Sequence, residues 1–276
     1  MKILKKNILA HAEGIKITSM VVNSPHIARK ARPGQFVIVM ADEKGERIPL
    51  TIVDADNNKG KVTLVFQELG LTTQLLGKLK EGDSLHTMAG PLGNATDIKT
   101  YGKVILIGGG VGIAEVYPVA KSLKKAGNEI TTILGARTKA LLILERDLDR
   151  ISDKLLIATN DGSYGEKGFT TDLLKDLLCH DKYDLIYAVG PIPMMREVSK
   201  VSKGYGIKTM VSLNALMVDG TGMCGCCRVT VDKKIRFSCV DGPEFDGHLI
   251  DWQELERRNK IYCEKEGHIC KLMDKI

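Results

Sequence analysis

Aromatic residues are scarce in this chain, at 5% with a single Trp, and no aromatic-basic run or recognition-helix signature occurs. Its 40 Lys and Arg are scattered among 34 acids for a net charge of +6, densest at LKKNI and SLKKAGN. That scatter describes a solvated surface, not a nucleic-acid footprint. A weak positive field suits acidic protein partners or nucleotide phosphates. No stretch approaches the roughly 18 consecutive apolar residues of a membrane span. The opening MKILKKNILAHAEG is interrupted by Lys5, Lys6 and Asn7, so it lacks the continuous apolar centre of a signal peptide. The expected compartment is the cytoplasm, where thiols stay reduced. An odd count of seven cysteines also argues against a disulfide framework.

What is present falls into three parts. At 276 residues the chain calls for two or three domains. The first hundred residues carry short runs rich in Val, Ile and Thr: GIKITSMVV (14–22), GQFVIVM (34–40), IPLTIVDAD (48–56) and KVTLVFQEL (61–69). Turn residues separate them, which predicts a small antiparallel barrel, with LTTQLLGKL (71–79) as one short helix. KVILIGGGVGIAEVYPVAKSLKKAGN (103–128) then reads as an apolar strand, a glycine loop and a helix. EITTILGA (129–136), KLLIATND (154–161), YDLIYAVG (183–190) and IKTMVS (207–212) are further buried-type strands. Helical stretches such as TTDLLKDLL (170–178) and MMREVSKVS (194–202) lie between them. Alternating strand and helix predicts a doubly wound parallel sheet. The alternation stops near residue 213, and the tail from Trp252 reads as a charged helix. The expected boundaries are 1–98, 99–212 and 213–276.

Gly108, Gly109, Gly110 and Gly112 end a strand and open a helix, which suits a phosphate: glycine lets backbone approach, and a helix N-terminus presents free N–H groups. The spacing is GGGVG, neither GxGxxG nor a P-loop, so a plain tight turn fits the glycines about as well. AVGPIPM (188–194) ends a second strand in Gly190-Pro191, where open α/β sheets place ligands. In the barrel, RIPLTI (47–52) sets Arg47 just before a strand containing Leu50 and Thr51. GLTTQ (70–74) and GPLG (90–93) supply further glycine and threonine donors. An arginine there clamps a pyrophosphate or is a solvated edge residue.

The densest chemistry is VDGTGMCGCCRVTV (218–231), with Cys224, Cys226 and Cys227, followed by Cys239. CRVTVDKKIRFSC (227–239) reads as a hairpin turning at Asp232-Lys233, which returns Cys239 to Cys227. Plant-type [2Fe–2S] proteins use C-x4-C-x2-C and a distant fourth Cys; here Asp219 stands first, giving D-x4-C-x2-C-x11-C. Zinc held by three thiolates and a carboxylate, or by four thiolates with Cys226 in place of Asp219, is the alternative. Adjacent side chains diverge, so Cys226 reads as a non-ligand. No histidine lies between Asp219 and Cys239, which argues against a histidine-ligated cluster. Cys179, Cys263 and Cys270 read as buried thiols.

The order of these pieces, with SLNALMVDGTGMCGCCRVTV and FSCVDGPEFDGHLIDW, resembles the ferredoxin reductase-like electron-transfer subunits. That family includes the dihydroorotate dehydrogenase electron-transfer subunit. The match is nearer to the small (alpha) subunits of NADH-dependent ferredoxin:NADP oxidoreductase, also called sulfide dehydrogenase, in which Asp at the first ligand position is usual. Cys226 departs from the small residue expected there. The resemblance implies FAD on the barrel, NAD(H) on the sheet, and a [2Fe–2S] cluster near the C-terminus. It implies Arg47, Pro49, Leu50 and Thr51 as FAD contacts, with Thr72, Thr73, Gly90, Pro91, Leu92 and Gly93 assisting. Gly108, Gly109, Gly110, Val111, Gly112, Gly190 and Pro191 would face the nicotinamide nucleotide. Asp219, Cys224, Cys227 and Cys239 would hold the cluster. It further implies a larger flavin- and iron–sulfur-bearing partner in an electron-bifurcating heterodimer that works with ferredoxin, with no nucleic-acid or membrane partner. A dihydroorotate dehydrogenase-type subunit and a zinc-stabilised, non-redox binding module are the rival readings. Electron transfer needs no acid–base triad, and none is evident. In LGART (134–138) the residues alone lean to NADP through Arg137, while the resemblance implies NAD(H).

Overall fold

The computed structural model describes residues 1–43 and 45–261. Cys263, Cys270 and the tail beyond residue 261 lie outside the described residues.

The N-terminal part holds β1 (Ile3–Ala12), β2 (Ile15–Asn23), α1 (Pro25–Lys30), β3 (Phe36–Met40), β4 (Ile48–Asp56), β5 (Lys61–Gln67), α2 (Leu71–Lys78) and β6 (Thr87–Leu92). Its six strands pair in the order β1-β2-β5-β4-β3-β6, antiparallel throughout. The ends meet where Ile3 N–H donates to the Asp83 carbonyl at 2.8 Å and Leu85 N–H to the Met1 carbonyl at 2.9 Å, closing the barrel. Val22, Val37, Val39, Leu64, Phe66 and Leu76 fill it.

The second part holds β7 (Lys103–Gly109), α3 (Ile113–Lys125), β8 (Glu129–Ala136), α4 (Glu145–Asp149), β9 (Lys154–Thr159), β10 (Glu166–Lys167), α5 (Thr170–His180), β11 (Leu185–Val189), α6 (Ile192–Gly204) and β12 (Thr209–Ser212). Buried on both faces, β7 reads as a continuous apolar run. Its Val104 and Leu106 pack with Val116, Val119 and Leu123 of α3, while Ile105 and Ile107 pack with Leu174 of α5 and Val198 of α6. The sheet order is β10-β9-β8-β7-β11-β12-β15, with β15 at Glu244–Asp246. Connections leave in opposite directions from β7 and β11, so a crevice opens at their carboxyl ends.

The last part contributes β13 (Arg228–Val231), β14 (Lys234–Phe237), β15 and α7 (Trp252–Asn259). It does not stand apart: β15 pairs antiparallel with β12. Cys227, Cys239 and Leu255 share one core cluster with Phe36 and Ile38 of the barrel and Ile105 of the sheet.

Asn128 fastens the start of β7 to the end of α3. Its Oδ1 accepts the Tyr101 and Gly102 amides at 2.6 and 3.1 Å, and its Nδ2 donates to the Lys99 and Leu123 carbonyls at 2.9 and 2.8 Å. Asn128→Ala strands the Tyr101 and Gly102 amides and the Lys99 carbonyl in a site only 3% exposed, while the Leu123 carbonyl keeps the Ala126 and Asn128 amides. It is expected to cost about 2–4 kcal/mol in chemical denaturation, against roughly 0.5 kcal/mol for a surface change.

Candidate electron-transfer site

The crevice holds a cleft of 510 Å³ between barrel and sheet. Pro49, Leu50 and Thr51 of β4 form one wall, with Thr72 and Thr73 of α2 beside them. Gly109, Gly110, Val111 and Gly112 form the opposite wall with Gly190 and Pro191. Two segments more than fifty residues apart therefore meet one space through the β7–β11 switch point.

The glycines have separate physical reasons. A Cβ on Gly112 would lie 2.6 Å from the Val189 carbonyl oxygen, and one on Gly190 would lie 2.7 Å from Met194 Cε. A Cβ on Gly108 would meet Ile113 Cα at 2.9 Å, so Gly108 lets α3 close on β7 and does not line the cleft. Gly110 is different: its φ is +57° and nothing lies within 4 Å of its would-be Cβ, so it turns the backbone toward open space.

Other expected contacts sit elsewhere. Arg47 is exposed just before β4 and is not among the residues lining the cleft. Thr73 Oγ1 accepts the Leu69 and Gly70 amides at 3.0 Å and so caps α2. Gly90, Pro91, Leu92 and Gly93 close β6, outside the cleft lining. Gly93 packs on Phe36 and its carbonyl accepts Gln35 Nε2 at 2.8 Å. Leu92 supports the cysteine loop: a Cβ on Gly220 would meet Ile38 at 2.6 Å and Leu92 at 2.9 Å.

A second cleft, also 510 Å³, continues past Gly109, Gly110 and Val111 over the ends of β8 and β9. Gly135, Arg137, Ala158 and Asn160 line it, with Thr170 and Thr171 at the start of α5. The two clefts share Gln67 and Pro191 as well as the glycine rim, so an extended ligand can reach from one to the other.

In the cysteine segment the predicted hairpin forms, with φ of 48° and 61° at Asp232 and Lys233, the left-handed pair of a two-residue turn. It brings Cys227 and Cys239, each 2% exposed, to a sulfur separation of 3.2 Å. Burial, then the neighbouring Cys227 thiol, push the Cys239 thiol up to about 12. Asp219 folds the loop: its two carboxylate oxygens accept the Thr221 and Cys224 amides at 2.7 Å each. Those amides hold its carboxyl below the usual carboxylate range. Left-handed Gly220, Gly222 and Gly225 carry the backbone around this ring. Among the described residues no three His, Cys, Asp or Glu side chains already converge as one metal ion requires. Cys227 and Cys239 form one close sulfur pair, and Asp219 is tied to Cys224 through the Cys224 backbone amide.

The comparisons with known proteins fall on these two regions. Residues 214–251 match the iron–sulfur cluster binding domain of dihydroorotate dehydrogenase B, and residues 106–200 match an oxidoreductase NAD-binding domain. The electron transfer subunit homolog of dihydroorotate dehydrogenase B from Thermotoga maritima is 51% identical over 245 residues, 89% of this chain and 86% of that one. The chain belongs to the dihydroorotate dehydrogenase B electron transfer subunit family. The family member from Geobacillus sp. (strain WCH70) is 33% identical, covering 89% of this chain and 97% of its own. A solved structure described as giving insight into flavin-based electron bifurcation in NADH-dependent reduced ferredoxin-NADP oxidoreductase superposes with a TM-score of 0.92. It is 47% identical and covers 99% of this chain and 97% of that one. A ferredoxin reductase of carbazole 1,9a-dioxygenase, 21% identical with a TM-score of 0.63, shares the fold.

The ferredoxin reductase-like fold expected from the sequence is therefore present, and this family member is an oxidoreductase electron-transfer subunit with flavin, NAD and iron–sulfur sites. The match over the cysteine segment speaks against the zinc module. Among the described residues no helix is long and apolar enough to cross a membrane.

Two corrections arise. Cys179 is exposed, not buried: it ends α5 on the solvent side, with Tyr205 Oη 3.4 Å away. And the cleft contains an acid that the sequence reading passed over, Glu115, in the first turn of α3. A lone carboxylate inside the apolar run GIAEVYPVA was the available signal.

Proposed function

We propose that this chain is the small subunit of an NADH-dependent ferredoxin:NADP oxidoreductase-type complex. It passes electrons between NAD(H), FAD and a [2Fe–2S] cluster to and from a larger flavin- and iron–sulfur-bearing partner, in an electron-bifurcating heterodimer of the cytoplasm that works with ferredoxin. The observation that carries the reading is the shared glycine rim. One continuous groove joins the barrel wall to the nucleotide-type crevice, and the cysteine loop rests on the neighbouring barrel strands β3 and β6 through Gly220.

Bound flavin supplies the conversion between a two-electron hydride and a one-electron acceptor. The chain's residues supply place and environment. Pro49, Leu50 and Thr51 form the wall a flavin ring would lie against, and Thr72 borders it. Arg47, outside the cleft, is proposed for the FAD pyrophosphate, with Thr73 and the loop of Gly90, Pro91, Leu92 and Gly93 assisting FAD binding. Gly109, Gly110, Val111, Gly112, Gly190 and Pro191 admit the nicotinamide end of the nucleotide, with Gly108 shaping the turn. Asp219, Cys224, Cys227 and Cys239 would hold the cluster, with Cys226 left out. Beside Cys224, Met223 is 87% exposed, and Val218 and Val240 are also exposed. Such an apolar rim next to the cluster loop suits a protein partner.

The experiment is anaerobic reduction of the reconstituted chain by NADH, followed in the flavin absorbance. Bleaching of one FAD per chain supports the reading, and a properly folded chain that takes up neither flavin nor nucleotide refutes it. Arg137 sharpens nucleotide choice, because it lines the second cleft just past β8, where a ribose 2′-phosphate would meet it. Arg137→Ala is expected to weaken NADPH use about tenfold more than NADH use, the worth of one charge-assisted contact, as read from KM for each.

A further inference from the structure

Glu115 is half-buried on the wall of the flavin-side cleft, which the hydroxyl-bearing Thr51 and Ser212 also line. From Ser212 a row of polar groups leads away. Next along it is Tyr187, 2% exposed, on β11, the strand paired with the β12 strand that carries Ser212. Tyr187 Oη donates to Glu244 Oε1 at 2.8 Å, and Thr96 Oγ1 donates to the same oxygen at 2.5 Å. Beyond Thr96 lies exposed Asp97. The row draws on β4, α3, β12, β11, β15 and the linker after β6, so the fold assembles it from every layer. A fully buried tyrosine between two carboxyl groups needs a reason, since an apolar residue there would need no partners.

We propose that Glu115 takes up the proton left in the cleft when electrons depart, and that Ser212, Tyr187 and Glu244 conduct it to the barrel–sheet seam at Thr96. The proposal rests on the electron-transfer reading above. The balance is NADH → NAD⁺ + H⁺ + 2 e⁻. The nicotinamide C–H bond breaks, two electrons leave one at a time to an iron–sulfur acceptor, and one proton stays behind. The Glu115 carboxylate accepts it as COOH. The Ser212 and Tyr187 hydroxyls each accept one proton and pass one on, and Glu244 gives it to water beside Asp97.

The environment suits that task. Burial, with like-charge repulsion from Glu244, pushes Glu115 up to about 7 against the Thr51 and Ser212 hydrogen bonds. A group poised there accepts and releases protons near neutral pH. Burial raises Glu244 in the same direction, helped by Asp97 and opposed by its Thr96 and Tyr187 bonds. Among the described residues, the charges acting on this pair are carboxylates, Glu244 on Glu115 and Asp97 on Glu244. Like-charge repulsion of this kind favours the protonated form of each carboxyl.

The test uses the flavin- and cluster-loaded chain in two ways. Infrared titration of the oxidised, resting protein should show a carboxylic C=O band that disappears as pH rises through about 7. Glu115→Gln should delete it and Glu115→Asp should restore it at a shifted midpoint. Stopped-flow mixing with NADH, with a one-electron acceptor present, then follows flavin bleaching alongside a pH-indicator dye. Tyr187→Phe keeps the ring and removes only the hydroxyl. It should slow proton release at least about tenfold more than it slows bleaching, and Glu244→Gln should do the same. Absence of the band in the parent protein, its survival in Glu115→Gln, or dye release that keeps pace with bleaching in Tyr187→Phe would overturn the proposal. Failure of NADH to bleach the flavin at all would instead strike the electron-transfer reading, leaving the resting infrared titration to report on Glu115.

Discussion

Cys227→Ser is expected to strip the iron from this protein and leave its flavin in place. Cys227 is 2% exposed, its sulfur stands 3.2 Å from Cys239, and it also accepts the Cys239 amide at 3.4 Å. A serine oxygen is a harder and far less acidic donor, ill matched to iron that prefers thiolate. Loss of an outer partner of a metal ligand already costs about 10–100-fold in metal affinity, so loss of a ligand should exceed about a hundredfold. Leu50 of the barrel wall packs against a different core cluster, with Val37, Val39 and Leu64, so FAD content should stay near that of the parent. NADH should still bleach the flavin, while transfer onward to a one-electron acceptor protein falls by about a hundredfold or more. Cys226→Ala is the control: the Cys226 amide and carbonyl contact Cys224 and Arg258, so the backbone is what the loop uses, and iron content should hold. Iron analysis and absorbance of both variants, prepared anaerobically, check this.

Gly112→Ala should damage the flavin-side cleft through a collision that no side-chain movement relieves. The new Cβ would lie 2.6 Å from the Val189 carbonyl oxygen and 2.9 Å from the Gly190 nitrogen, and both are backbone. No side chain can rotate to relieve that contact, so α3 and the end of β11 must separate. Overpacking of this kind costs about 1–3 kcal/mol. Because Gly112 and Gly190 line the flavin-side cleft together, the separation also spoils the place where nicotinamide and flavin must stack. Flavin reduction by NADH should fall by about tenfold or more, the consequence of a sub-ångström misplacement at a reacting pair. Gly110→Ala separates strain from collision. Its φ is +57° with open space around the new Cβ, so the cost is conformational, roughly 1–2 kcal/mol, without displacement of β11. Denaturation midpoints and stopped-flow bleaching of the two variants should therefore diverge: similar stability losses, with the larger kinetic loss in Gly112→Ala.

How much of this was legible in the sequence depends on whether the signal was local. β7 declares itself because both of its faces are buried and its run after Lys103 is apolar. The β13–β14 hairpin declares itself because Asp232-Lys233 interrupts two alternating runs, so the Cys227–Cys239 approach followed from register alone. β1 was not legible. Register shifts between Ile3 and Lys5 and between Ile8 and Ala10 break its alternation, leaving Leu4 and Ile8 exposed and a basic, irregular pattern. GPLG reads as a turn, yet Gly90, Pro91 and Leu92 extend β6, because β3 across the barrel supplies the pairing. β15 is three residues long and gains its identity only from β12 beside it. Glu115, Tyr187 and Glu244 are spread over 130 residues, and their meeting is a product of the doubly wound topology. Cysteine spacing, by contrast, narrowed the metal chemistry to an iron–sulfur cluster or zinc, because a metal imposes short-range demands; the glycines at strand ends fitted a plain turn about as well as a phosphate, and flavin entered only with the family resemblance.

The most direct measurement is metal, flavin and electron paramagnetic resonance analysis of the chain purified without oxygen and then reduced. The account predicts about two irons and one FAD per chain, no stoichiometric zinc, and a rhombic S = 1/2 signal from the reduced cluster. Zinc without iron or flavin would contradict it, and would make the loop from Asp219 to Cys239 a structural clasp in a protein that carries no electrons.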